Sequence, residues 1–135
     1  MSQFTISSGS KSYTFEITSE VNDQGQNKVV KVTYNGTELE LDNFWEFYTY
    51  VCRSRLRERI EDGAQPAGDP ILTYKFEFAD SEREADVVNF YENSSRRCFI
   101  EVNGVCNYYD YKTYVDKMLE DMDKVIAGET ITEYN

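Results

Sequence analysis

Apolar and polar residues alternate along much of the chain. "SYTFEIT" (12–18) sets Tyr13, Phe15 and Ile17 against polar neighbours, the period of a strand buried on one side. A polar turn, "VNDQGQN" (21–27), leads into a second strand, "KVVKVTY" (28–34), which ends at Asn35-Gly36. That dipeptide tolerates positive φ at both positions and favours a tight type I′ hairpin, so "TELEL" (37–41) is expected to return as a short third strand. The spacing then changes to threes and fours. Phe44, Phe47, Tyr48 and Val51 form a helical stripe, with Trp45, Cys52 and Leu56 extending it to one side. Asn43 and Glu46 have capping-box spacing, and Gly63 supplies the stop. On this reading the arginines of "RSRLRER" (53–59) fall in the last helical turns, where cations complement the negative helix end; this is favoured over an anion site at the same cluster.

The pattern returns after a connector, "EDGAQPAGDP" (61–70), that holds both prolines. "ILTYKFEF" (71–78), "DVVNFYE" (86–92) and "RCFIEV" (97–102) read as strands, with "ADSERE" (79–84) and "NSS" (93–95) as turns. Asn103-Gly104 is a second hairpin turn, and "VCNYY" (105–109) its return strand. Asp110 is placed to cap a second helix, in which Tyr111, Tyr114, Val115, Met118, Leu119, Met122, Val125 and Ile126 recur at helical spacing. Lys112, Asp116, Glu120, Asp123 and Lys124 take the other side, and Gly128 ends it. The order strand, strand, Asn-Gly, short strand, helix thus occurs twice. "YTFEI" (13–17) echoes "YKFEF" (74–78), and Phe44, Phe47, Tyr48 and Val51 match Tyr111, Tyr114, Val115 and Met118. What recurs is turn chemistry and core face, not an acid, base or nucleophile. The expectation is one α+β domain over 1–135: an antiparallel sheet built from two related ββ(β)α halves, about 11–63 and 70–131, with two helices packed on it.

Composition narrows the function classes. The 135 residues are enough for a hydrophobic core, and the eleven tyrosines argue against disorder. A net charge of −11 disfavours nucleic acid and anionic membranes as partners. No apolar run is long enough to span a bilayer, and "MSQFTISSGS" lacks the basic start and apolar stretch of a signal peptide. There is no histidine, which removes Ser-His-Asp and Cys-His catalysis within the chain. Carboxylate pairs remain, but the acidic residues fall mainly in turns or on the polar helix face. No phosphate-binding glycine loop or calcium loop is present, so no catalytic residue, cofactor or metal is assigned. Cys52, Cys98 and Cys106 match no zinc spacing; a Cys98–Cys106 bridge across a hairpin is allowed, and free, buried thiols are favoured over it. The sequons at Asn35 and Asn93 sit in predicted turns and would matter only in a glycosylating secretory pathway.

"FWEFYTY" (44–50) is the segment that points to function. Phe44, Phe47 and Tyr48 belong to the core stripe, whereas Trp45 and Tyr50 project to other sides of the same helix. An exposed Trp and Tyr suit a protein interface, and these two are the candidate interface residues.

"VTYNGTELELDNFWEFYTYV", "PILTYKFEF", "DVVNFYENSSRRCFIEVNG" and "YKTYVDKMLEDMDKVIAGETI" together resemble the uncharacterised domain-of-unknown-function family 4340 (DUF4340) over most of residues 28–131. Members of that family are typically longer bacterial proteins with an N-terminal membrane anchor and several such segments outside the membrane. They are often encoded beside ABC-transporter components. The resemblance implies that this chain is the C-terminal extracytoplasmic segment of such a protein, anchored through a segment not present in this chain. The absence of an anchor here departs from the family pattern, and a cytoplasmic protein is the alternative. It further implies a non-enzymatic interaction module whose partners are neighbouring segments or ABC-transporter components. The family has no established catalytic residues to carry over. The alternatives are a small-ligand or glycan binding module, using exposed aromatics, and a carboxylate-based hydrolase.

Overall fold

A computed structural model describes residues 2–78 and 82–131. In chain order the elements are β1 (Gln3–Ser8), β2 (Lys11–Val21), β3 (Asn27–Tyr34), β4 (Thr37–Glu38), α1 (Leu41–Val51), β5 (Glu58–Arg59), β6 (Leu72–Glu77), β7 (Asp86–Glu92), β8 (Arg97–Val102), β9 (Val105–Tyr111) and α2 (Lys112–Ile126). The strands form a single antiparallel sheet in the order β4-β3-β2-β1-β6-β7-β8-β9-β5. The fold is therefore α+β, with both helices on one face of one sheet. The order fans outward from the central β1/β6 pair: β1 to β4 in one direction and β6 to β9 in the other, each run followed by a helix.

The alternation explains the layering. Phe4, Ile6, Phe15, Ile17, Val32, Leu72, Tyr74, Phe90, Cys98 and Ile100 face the helices and are buried. Their neighbours Thr5, Thr14, Thr73 and Lys75 face the other side, where Thr5 and Thr14 join hydroxyls at 2.9 Å. Both Asn-Gly pairs make the expected hairpins, with φ of 51° and 81° at Asn35 and Gly36 and 50° and 85° at Asn103 and Gly104. Such angles are cheap only for Asn and Gly.

The structure departs from the sequence reading at several points. The central strand β1 lies before the first expected strand, so "YTFEI" and "YKFEF" are not counterparts: they occupy β2 and β6, the second strand of one run and the first of the other. "TELEL" contributes only the two residues of β4. Helix α1 begins at Leu41 without a side-chain cap. Asn43 instead ties down the chain after α2, its side chain donating to the Glu129 carbonyl and accepting from Ile131 N–H. The helix stops at Val51, far short of Gly63, so the arginines of 53–59 lie in a loop and in β5 rather than in a helical turn. Leu56 and Cys52 are exposed. At the second helix β9 runs through to Tyr111, which leaves Asp110 buried instead of capping and Tyr111 54 % exposed outside the core stripe. Gly128, with φ of 77°, does end α2: Glu129 N–H bonds the Lys124 carbonyl and Gly128 N–H that of Val125, the Schellman pattern. Part of the turn "ADSERE" lies outside the described residues.

A bulge settles the cysteines. In β9, Cys106 and Asn107 together oppose Glu101, and this extra residue turns Cys106 to the face away from the helices. There it packs with Phe99 and Tyr109, whereas Cys98 belongs to the main core. The two thiols sit on opposite faces of the sheet, no bridge joins them, and all three cysteines are free.

Candidate functional site

Of the two residues singled out by sequence, Trp45 meets the expectation of exposure. It is 50 % exposed and stacks on Tyr48, with ring centroids 5.7 Å apart and planes at 26°. The pair forms one wall of a depression of about 210 Å³, completed by Ile17, Ser19, Asn27, Val29 and Phe44. The site follows from local structure. α1 lies over β2 and β3, and a bulge at Val30, where Thr18 pairs with Lys31 but Ser19 with Val29, bends that end of the sheet beneath the indole. β3 pairs with β4 only through Thr33 and Tyr34, so its outer side over 27–31 has no strand partner among the described residues.

Tyr50 does not join that surface. It is 2 % exposed and is turned toward α2, where Lys117 Nζ lies 4.7 Å and the Arg53 guanidinium 4.6 Å from its ring centroid. The helix stripe is wider than one sheet requires because α1 has a second packing partner, and that partner is α2. Trp45 and Tyr50 therefore belong to opposite flanks of α1, and the structure does not bring them together.

On the Tyr50 flank are polar groups that sequence patterning did not isolate. Asp110 is 1 % exposed. It accepts backbone N–H bonds from Arg55 (3.0 Å) and Tyr111 (2.7 Å), and Arg57 Nε lies 3.5 Å away. Burial raises its carboxyl above the usual range, against the lowering effect of those donors. Asp121, also 1 % exposed, is held by Lys117 at 2.6 Å. Tyr114 donates to the Val51 carbonyl at 2.8 Å and so receives the Tyr74 hydroxyl at 2.6 Å; burial pushes both phenols well above their ordinary value. Two signals for this cluster were present. Lys117 and Asp121 have i,i+4 spacing, and Arg53, Arg55, Arg57 and Arg59 alternate at the period of an extended strand.

The remaining chemistry is sparse. Burial pushes all three thiols up, Cys98 to about 11, which disfavours the nucleophilic thiolate. Among the described residues no group of three or more His, Cys, Asp or Glu is arranged to hold a metal ion. Glu58, Glu61 and Asp62 share the rim of one cleft with Arg59 and Arg97, all three carboxylates exposed. No helix among the described residues is long and apolar enough to cross a membrane. Compared with family models, with curated proteins and with solved structures, the chain finds no match.

Proposed function

We propose that this chain is a non-enzymatic protein-interaction module whose contact surface is the Trp45 depression, and that it serves as an extracytoplasmic part of an ABC-transporter-associated assembly. The reading rests on one observation: a half-exposed Trp, pre-stacked on Tyr48, overhangs an apolar depression. A rigid aromatic of this kind supplies large contact area at low entropic cost. The neighbouring β3 edge is not the contact. Lys28, Lys31 and the Val30 bulge blunt it against strand addition. The transporter setting comes from the resemblance to family 4340. The matching order of elements on either side of the β1/β6 pair supports a duplicated unit, which would pack against neighbouring copies of itself in a longer protein.

The test places a photo-crosslinking residue at position 45 of the full-length protein in its native cell. Adducts with a permease subunit, together with loss of that subunit's co-purification in Trp45→Ser, support the reading. Adducts confined to the protein itself reduce it to packing between neighbouring segments. A soluble protein without adducts removes it.

A further inference from the structure

The cations of this acidic chain are unevenly placed. Every arginine except Arg83 lies along the β9 edge, in the segment from α1 to β5 or at the start of β8. There Tyr50, Arg53, Arg57, Tyr111, Lys117 and Met118 line a cleft of about 160 Å³ whose walls, among the described residues, include no carboxylate. Past Tyr111 and Thr113, which belong to both, the cleft opens into a groove of about 620 Å³ bounded by Arg96, Arg97 and two serines, with Glu58 the one acidic wall among the described residues.

The cations are held in place before any ligand arrives. Arg53 and Lys117 lie over the Tyr50 ring, Arg57 lies 4.9 Å from the Tyr111 ring centroid, and Arg97 lies 3.9 Å from that of Tyr109. A guanidinium stacked by its face keeps its in-plane N–H donors for a carboxylate. Arg97 already directs its own to Glu58 at 2.8 Å and Asn93 at 3.1 Å, so it shapes the groove and is not counted among the ligand's partners. Behind the lining, Asp110 and Asp121 brace Arg57 and Lys117 from buried positions. They fix these side chains without occupying the opening.

We propose that this cleft and groove bind an acidic peptide segment of a partner protein, its carboxylates on Arg53, Arg57 and Arg96 and its backbone across Tyr111. The elongated form suits an extended chain rather than a compact anion. The overall charge of −11 selects against a nucleic acid or an anionic bilayer, because a long polyanion also meets the acidic remainder of the surface. A short peptide meets only the groove, since charges beyond about 8 Å are screened at physiological salt. This surface lies across α1 from Trp45 and does not depend on it.

The probe is a dye-labelled hexaglutamate peptide followed by fluorescence anisotropy at physiological ionic strength, with hexaglutamine as control. Saturable binding to the glutamate peptide alone is expected. It should weaken by about tenfold or more in the double variant Arg53→Glu/Arg96→Glu, whose side chains are both exposed and whose melting temperature should stay at the wild-type value. Lys28→Glu/Lys31→Glu makes the same charge change at the far edge of the sheet and should leave binding intact, as should Trp45→Ser. Three results would overturn the proposal: no saturable binding, equal loss in the two double variants, or displacement by inorganic phosphate at matched ionic strength, which would mark a free-anion site.

Discussion

α1 and α2 follow the two strand runs at corresponding points of the chain and pack on the same face of the sheet, yet different chemistry seats them. α1 is held by rings. Phe44 and Phe47 lie 5.1 and 6.2 Å from Phe15, and Tyr48 stands edge-on to Phe4 at 5.6 Å. α2 is held by hydrogen bonds and charges as well. Tyr114 bridges Tyr74 and the end of α1, and Asp123 accepts from Lys11 at 2.8 Å and Tyr13 at 2.6 Å. The second of these contacts pushes the Tyr13 phenol up to about 12. An apolar seat tolerates change in pH and leaves a helix's outer side free for other use. A polar seat fixes geometry and responds to protonation.

The comparison breaks most severely at Phe47, which is fully buried. Phe47→Ala should cost about 3–5 kcal/mol, by a similar amount at every pH, as read from urea midpoints across a pH series. Asp110→Ala should cost less, about 2 kcal/mol, because the Arg55 and Tyr111 N–H groups lose their acceptor. The conservative Asp110→Asn sharpens the contrast. Burial raises the Asp110 pKa in the folded state, so the native protein holds that proton to higher pH than the unfolded chain. The stability this contributes is complete below the unfolded value of about 3.9 and is lost as pH rises through the raised one. Relative to Asp110→Asn, the wild type should therefore weaken on going from acid toward neutrality. A constant difference between the two would show that burial does not govern this carboxyl.

Tyr114→Phe removes the hydroxyl between Tyr74 and Val51 and should cost about 1–2 kcal/mol by chemical denaturation. Gly128→Ala should cost about 1 kcal/mol, because its φ of 77° strains any side chain. Trp45→Ser is the smallest expected change, within about 0.5 kcal/mol, since half the indole is already in water. A larger loss would make Trp45 part of the α1 seat and withdraw it as a contact residue.

What the sequence showed and hid follows the same division. Strands β2, β3, β6, β7 and β8 were legible because alternation and Asn-Gly turns are local signals. β1 alternates too, Phe4 and Ile6 against Thr5 and Ser7, but two apolar positions are too few to separate a strand from a loop. The end of α1 was masked by Cys52 and Leu56, which continue the helical spacing although the chain has already left to reach β9. Tyr50 read as surface because its cover, α2, is distant in sequence. Asp110 read as a cap because nothing local reveals that β9 continues through it. Trp45 was legible because an indole off the core stripe of an amphipathic helix has few places to go but out.

The central position of β1 has a consequence for the order of synthesis. β1 pairs with β2 at once, through a hairpin, but its other edge waits for β6, which is made only after β2 to β5 and α1. At roughly 5–20 residues per second, the nascent chain carries an open strand edge, with Phe4 and Ile6 beside it, for several seconds. During that interval the place destined for β6 can be taken by the same strand of another nascent chain. Fidelity of folding in this protein is therefore a race between translation of β6 and encounter with a neighbour.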